Sequence, residues 1–180
     1  MNASSPGWPE FPTADVQIAV GVVDVVVLAP APRGRRDRWR VLTLRRAAGV
    51  RCTGAWELVH GRIEPGEHPA AAARREVLEE TGMVVQRLYA LAVNPFYLPR
   101  PNTIQMAVVF AAVVEHASVV MLSHEHDTTA WRTPTAAIKH LAWPREHEAV
   151  RYAVHLLRDG DAGAVEDVLR VPDASGLAQR

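Results

Sequence analysis

Two segments rich in Val, Ile and Ala constrain the fold of this chain more than any other feature. They read VQIAVGVVDVVVLAP over 16–30 and IQMAVVFAAVV over 104–114. Because β-branched side chains are stiff at χ1 and pack well on a pleated surface, both segments favour strands over helices. The first predicts one long strand or two consecutive strands, and the second predicts a buried strand.

The remaining pattern mixes strands with helices. We predict strands over 41–46 and 83–93, a Pro-rich loop over 94–102, and helices over 69–81, 134–141 and 144–158. Strands before and after one helix, with further helices at the end, are typical of a mixed α/β sandwich. A parallel Rossmann arrangement is less favoured, because strands and helices do not alternate strictly and no glycine-rich turn follows the first strand. We expect one domain over 15–160, an N-terminal arm over 1–14 and a C-terminal tail over 161–180.

Composition argues against several classes of function. The 180 residues carry 20 basic and 20 acidic side chains, so a general attraction to nucleic acid or to anionic membranes is not expected. Cys52 is the single cysteine, which leaves no partner for an internal disulfide and favours a reducing compartment such as the cytoplasm. No stretch reaches the roughly 20 apolar residues that a membrane span needs.

The predicted helix over 69–81 carries the densest chemistry. Glu76, Glu79 and Glu80 follow the spacing i, i+3 and i+4, so they lie within about 100° on one face of the helix. Carboxylates clustered in this way repel one another, and a divalent cation among them removes that cost; oxygen ligands of this type select Mg²⁺ or Mn²⁺. The alternative is a solvated acidic face that Arg74 and Arg75 partly neutralise.

The residues around this helix resemble the signature of the Nudix hydrolase family. In that signature, Gly is followed after five residues by Glu, and after seven more by Arg-Glu, an apolar residue, any residue, Glu-Glu, any residue, Gly and an apolar residue. The positions are filled here by Gly61, Glu67, Arg75, Glu76, Val77, Glu79, Glu80, Gly82 and Met83. Through the order of strands and helices, a looser resemblance extends over about 15–158. The resemblance implies an α/β/α sandwich with a mixed sheet.

The same resemblance implies a reaction and roles for the box residues. Water hydrolyses a nucleoside diphosphate linked to another group, and Mg²⁺ neutralises the phosphate oxygens. Glu76, Glu79 and Glu80 are the implied metal ligands, and one of them can also be the base that deprotonates the water; which residue serves as the base varies among family members. Glu67 and Arg75 are implied to form an ion pair that orients the carboxylates.

Two further positions are expected to complete the metal site. Many family members have a glycine before the first box glycine, and its carbonyl binds metal; the residue here is His60. The backbone carbonyl of His60 can still serve, while its imidazole either reaches phosphate or points outward. The segment LSHEHDTTAW over 122–131 resembles the Glu-His-x4-Trp segment of family enzymes that act on nucleoside triphosphates and dihydroneopterin triphosphate. That places Glu125 in a loop as a ligand or base, whereas His124 and His126 are expected to be solvated.

Four residues are candidates for substrate binding. Arg45 and Arg46 end a predicted strand at which family members often carry an arginine that faces the substrate. The planar guanidinium suits phosphoryl oxygens, and an exposed arginine at a strand end is the alternative for either residue. Phe96 and Tyr97 lie in the predicted Pro-rich loop, where they are candidates for stacking a base.

The sequence thus predicts a Mg²⁺-dependent pyrophosphohydrolase that cleaves a nucleotide or nucleotide-like triphosphate into a monophosphate and pyrophosphate. Hydrolysis of dinucleoside polyphosphates or nucleotide sugars is the main alternative, because the signature fixes the chemistry and leaves the substrate to the loops. A nucleotide sensor without activity and an RNA-cap hydrolase are less favoured. We expect a small-molecule nucleotide as the partner, and the sequence leaves a homodimer open.

Overall fold

The computed structural model describes residues 16–115 and 119–172, so the predicted arm over 1–14 lies outside the described residues. A mixed sheet of eight strands forms the centre of this part of the chain. The strands are β1 (Gln17–Pro30), β2 (Trp39–Arg46), β3 (Trp56–Glu57), β4 (Val59–Arg62), β5 (Arg87–Leu98), β6 (Thr103–Val113), β7 (His126–Arg132) and β8 (Arg170–Val171). The helices are α1 (Pro69–Thr81), α2 (Pro134–His140), α3 (Pro144–Leu156) and α4 (Glu166–Leu169), with a 3₁₀ turn at Gly163–Val165.

Strand β1 organises the sheet. It pairs with β6 in parallel from Gln17 to Leu28, and with β2 and β4 in antiparallel fashion. Strand β7 adds to β2, and β5 pairs with the other side of β6. The pairing of β1 with β4 sets Asp24 opposite His60 and Val23 opposite Gly61, which places the start of the predicted box at the middle of the sheet.

Helices cover both faces of the sheet. The alternation along β1 sends Val23, Val25 and Val27 toward a core that includes the alanines of α1. Val26 and Leu28 point to the opposite core, into which α3 places Ala149, Val150 and Ala153. These two apolar layers confirm the predicted α/β/α sandwich, and they hold α1 firmly against β1 and β4.

Strand β5 differs from the prediction. It begins at Arg87 rather than 83 and continues to Leu98, through the segment expected to be a loop. Pro95 is accommodated because β8 pairs only with Leu88 and Tyr89, so β5 is an edge strand at Pro95 and needs no N–H donor on that side. The prolines in this segment led to the prediction of a loop over 94–102, which is wrong for residues 94–98.

Part of the predicted C-terminal tail is folded. The 3₁₀ turn and α4 lead into β8, where Arg170 and Val171 pair with β5. The side chain of Glu166 also accepts a hydrogen bond from the Tyr89 hydroxyl at 3.0 Å. The ordered body therefore extends beyond residue 160, to Val171. Among the described residues, no helix is long and apolar enough to cross a membrane.

Candidate active site

Helix α1 begins and ends where its sequence predicts. His68 caps the N-terminus by accepting a hydrogen bond from the Ala70 N–H at 3.2 Å, and Pro69 supplies the first helical residue. At the other end, Gly82 adopts a left-handed conformation with φ of 70°, and its N–H donates to the Leu78 carbonyl at 2.8 Å. These caps set the phase of the helix and so the direction of each glutamate.

Gly61 is the point at which β4 meets the acidic face of α1. A Cβ atom on Gly61 would lie 1.8 Å from Cδ of Glu76 and 2.0 Å from its Oε1. Any side chain at this position would therefore occupy the space of the Glu76 carboxylate. This explains the glycine in structural terms, because the carboxylate lies directly against the backbone of β4.

Arg75 binds three of the glutamates that were predicted to belong to the site. Its Nε and Nη2 donate to the two carboxylate oxygens of Glu67 at 3.0 and 2.9 Å, in a bidentate pair. Its Nη1 donates to Glu76 at 2.8 Å and to Glu79 at 3.0 Å, and Nη2 also reaches the Arg62 carbonyl. Hydrogen bonds from Arg75 hold the pKa of Glu67 below its usual value. The predicted ion pair of Glu67 and Arg75 is thus present, and it restrains Glu76 and Glu79.

Glu80 differs from its two neighbours because it is buried. Its Oε2 atom has no hydrogen-bond partner among the described residues. Burial, with smaller contributions from the charges of Glu76, Glu57 and Glu125, raises the pKa of Glu80 to about 9. Burial likewise raises the pKa of Glu76, although Arg75 opposes that shift. Glu79 is the outlying member of the group, since its side chain is 57% exposed.

Glu125 approaches the same place from another part of the chain. Its carboxylate accepts a hydrogen bond from Nη2 of Arg46 at 3.3 Å, and its backbone carbonyl accepts from the Ala47 N–H at 2.8 Å. The Met121 N–H donates to the Thr81 carbonyl at 3.0 Å, and Leu122 packs on the core that includes the α1 alanines. The segment that leads to Glu125 therefore lies on the α1 side of the sheet.

Sequence reasoning missed Glu57. This residue ends the two-residue strand β3 and is 1% exposed. Its Oε1 accepts from Arg46 at 2.8 Å and from Nε2 of His126 at 3.0 Å, and its Oε2 accepts from the Trp143 indole at 3.4 Å. Burial alone raises the pKa of Glu57, but the hydrogen bond from His126 and the charges of His60 and Arg46 outweigh it, so the pKa is lowered. An acidic residue within the apolar run WELV was the available signal.

The surroundings of His126 and His60 differ from those expected from the sequence. His126 is buried at the start of β7 and bound to Glu57, so the prediction of a solvated loop residue is wrong for it. Because a carboxylate accepts hydrogen bonds, Nε2 of His126 is assigned as the donor. The His60 imidazole does not point outward; its Nδ1 lies 3.4 Å from the Leu58 carbonyl and 3.8 Å from Glu57. His124 is exposed.

The predicted substrate residues are not gathered in one place. Arg46 is engaged by Glu57 and Glu125, whereas Arg45 forms an exposed ion pair with Asp127 at 2.7 Å. Phe96 and Tyr97 are consecutive in β5, so their side chains point to opposite faces of the sheet.

The surroundings of these two aromatic residues differ as well. The guanidinium of Arg145 lies 4.6 Å from the centre of the Phe96 ring, and Arg145 is paired with the buried Asp24 at 2.8 Å. Tyr97 is largely exposed and donates a hydrogen bond to Asn102 at 2.7 Å. Only Phe96 lies on the face of the sheet that also carries Asp24.

The residues of the cluster fit a hard divalent cation. Glu80 contributes a buried oxygen without a partner, and Gly61 leaves the Glu76 carboxylate against the β4 backbone. In the described ranges, no three acidic, histidine or cysteine side chains already converge as a preformed metal site. Arg75 instead binds one carboxylate oxygen of Glu76 and one of Glu79, and among the described residues it makes no hydrogen bond with the second oxygen of either residue.

Comparison with known proteins identifies the family. A family model described as the NUDIX domain matches residues 22–153, which is more than half of the chain. The chain belongs to the Nudix hydrolase family. This Nudix chain is 34% identical over 123 residues to an octanoyltransferase from Myxococcus xanthus; the match covers 67% of the chain and 34% of that protein. The chain thus spans about a third of the length of this curated relative.

Solved structures share the Nudix fold. The E. coli dihydroneopterin triphosphate pyrophosphohydrolase superposes with a TM-score of 0.61 at 23% identity, over 78% of this chain and 99% of the other. An Ap4A hydrolase from C. elegans gives a TM-score of 0.64 at 21% identity, over 78% and 99% of the two chains. At these identities, the two neighbours show that the chain has the same fold.

Proposed function

We propose that this Nudix hydrolase is a Mg²⁺-dependent pyrophosphohydrolase that cleaves a nucleoside or nucleotide-like triphosphate into a monophosphate and pyrophosphate. The observation that carries the proposal is the buried, unpartnered oxygen of Glu80, which lies one turn of α1 from Glu76. Burial of a carboxylate among other carboxylates is unfavourable unless a cation compensates the charge. The carboxylates of the site repel a negatively charged polyphosphate. A cation bound among them would instead attract it.

The proposed metal ligands are Glu76, Glu79, Glu80 and Glu125, with the backbone carbonyl of His60. Mg²⁺ favours such carboxylate and carbonyl oxygens and usually retains coordination positions for substrate phosphates, and Mn²⁺ can substitute for it. When bound, the ion would supply neutralisation of charge on the phosphoryl oxygens.

The protein residues have distinct proposed roles around that ion. Arg75 is anchored by Glu67 and orients the carboxylates of Glu76 and Glu79 for binding the cation. A carboxylate among Glu76, Glu79 and Glu125 takes the proton from the attacking water. Glu125 is well placed for this role, because its side chain is 44% exposed and solvent can reach it.

We propose one arginine for binding the substrate phosphates and two aromatic residues for binding its base. Arg45 is the more available of the two arginines for phosphate, because its partner Asp127 is exposed and an exposed ion pair exchanges readily. Phe96 and Tyr97 are proposed to contact the base. Phe96 packs against Arg145, which is paired with the buried Asp24, whereas Tyr97 is largely exposed. The single cysteine, Cys52, is exposed, and we place the protein in the cytoplasm on that basis.

The test is a panel of substrates assayed for phosphate and pyrophosphate release with Mg²⁺. The panel contains nucleoside triphosphates, dihydroneopterin triphosphate, dinucleoside polyphosphates and nucleotide sugars, each with and without inorganic pyrophosphatase. Phosphate that appears only when pyrophosphatase is added to a triphosphate supports the proposal. Turnover confined to dinucleoside polyphosphates or nucleotide sugars would replace the proposed substrate, and turnover unaffected by EDTA would exclude the proposed metal.

A further inference from the structure

Arg46 bridges two carboxylates that come from distant parts of the chain. Its Nη1 donates to Glu57 at 2.8 Å, and its Nη2 donates to Glu125 at 3.3 Å. Its Nε also donates to the Arg51 carbonyl. Each of the three guanidinium nitrogens of Arg46 thus donates a hydrogen bond, and the Arg46 side chain is 12% exposed. The geometry is that of a fixed bridge rather than a free phosphate-binding group.

The two ends of this bridge are held very differently. Glu57 is buried in a strand paired with β2, and its carboxylate accepts from Arg46, His126 and Trp143. A carboxylate with three donors in the protein interior has little freedom to turn. It therefore acts as a rigid anchor for the guanidinium of Arg46.

Glu125, by contrast, lies on the exposed side of the bridge. Its backbone carbonyl is fixed by the Ala47 N–H, but its carboxylate has Arg46 as its hydrogen-bond partner among the described residues. Without that contact, the half-exposed side chain of Glu125 would have no hydrogen bond within the described residues to fix its direction. The direction of the Glu125 carboxylate thus depends on where Arg46 is held.

We propose that Glu57 is a positioning residue that acts through Arg46 to hold the Glu125 carboxylate in the direction that its proposed role as metal ligand or base requires. This inference rests on the proposed function, because it assigns a purpose to the placement of Glu125. It differs from a role for Glu57 as a further metal ligand, since the oxygens of Glu57 are already used by three donors. His126 and Trp143 then serve to keep Glu57 in place.

A double-mutant cycle separates these roles. Glu57→Gln and Glu125→Gln are prepared singly and together in the full chain, and kcat, KM and Mn²⁺ affinity are measured for each. Positioning through Glu125 predicts that Glu57→Gln lowers kcat by about tenfold or more with KM within about threefold. It also predicts that the double variant falls no more than about twofold below Glu125→Gln, in both kcat and Mn²⁺ affinity.

Two results would overturn the inference. Wild-type kcat in Glu57→Gln would show that Glu125 needs no anchor. Multiplication of the two single effects in the double variant would show that Glu57 acts independently of Glu125, as a metal ligand or as a general structural residue.

Two variants keep the test decisive. If Glu57→Gln fails to fold, Arg46→Lys takes its place in the cycle, because one ammonium cannot bridge two carboxylates with the geometry of a guanidinium. Glu166→Gln is the matched control. It also removes the charge of a hydrogen-bonded carboxylate, but Glu166 lies in α4 and binds the Tyr89 hydroxyl of β5. This variant should leave kcat unchanged.

The controls also keep this inference distinct from the proposed function. An unchanged rate in Glu125→Gln would refute the role proposed for Glu125 itself. A slow Glu125→Gln with a normal Glu57→Gln would refute the positioning role alone.

Discussion

Replacement of Gly61 by alanine tests the metal site by geometry rather than by removal of a charge. The added Cβ would lie 1.8 Å from Cδ of Glu76, and ordinary contact begins near 3.4 Å, so the carboxylate must move by about 1.6 Å. Gly61 lies in β4 and is not among the residues with positive φ, so alanine fits its backbone conformation. The flexible end of Glu76 moves, rather than the strand.

We expect Gly61→Ala to lower kcat and to leave the free energy of unfolding nearly unchanged. A displacement of about 1 Å in a catalytic group typically lowers the rate by about 10²-fold, so Gly61→Ala should lower kcat by at least about 10²-fold, or about 2.7 kcal/mol. The free energy of unfolding should change by less than about 1 kcal/mol, because the clash is relieved by one side-chain rotation.

The assay compares kcat, Mn²⁺ affinity and the denaturant midpoint of Gly61→Ala with those of Glu76→Gln and of the double variant. If alanine acts through Glu76, the double variant should be no slower than the slower single variant. Gly34→Ala is the control, since Gly34 has φ of 79° with open space around it; it should lose about 1 kcal/mol of stability and no activity. Normal kcat and metal affinity in Gly61→Ala would refute the assignment of Glu76 as a ligand.

Three further outcomes follow from the same structure. Glu79→Gln and Glu80→Gln should each lower kcat by at least about 10²-fold with an intact circular dichroism spectrum, because each removes a proposed ligand charge; near-normal rates in both would exclude the metal site. Arg75→Lys should lower the free energy of unfolding by about 1 kcal/mol in denaturant titrations, since lysine cannot reproduce the bidentate bond to Glu67; an unchanged midpoint would show that this partly buried network contributes nothing. Burial, with the charge of Asp24, raises the pKa of Glu146 well above its usual value, so stability is greatest below the unfolded pKa and falls as pH rises toward the folded pKa. Glu146→Gln should therefore flatten the decline in unfolding free energy that begins above about pH 4.3, the ordinary pKa of glutamate, and an unaltered slope in pH-dependent denaturation would contradict this.

Local signals in the sequence determined the part of the site that lies on α1. Proline at the first position and glycine after the last fix the bounds of this helix, and the bounds fix which glutamates share a face. The partnership of Arg75 with Glu67 could also be anticipated, because both residues belong to the signature. The long strands β1 and β6 followed from their β-branched composition, and from them the layered α/β fold.

Tertiary structure alone decided the rest of the site. Glu57, Arg46 and His126 are separated by up to 80 positions, and only the pairing of β2 with β3 and β7 brings them together. The sequence does not encode such long-range contacts in any local pattern. The burial of Glu57 and Glu80 is likewise a property of the assembled layers, because a carboxylate becomes costly, and chemically useful, only when the surrounding chain excludes water.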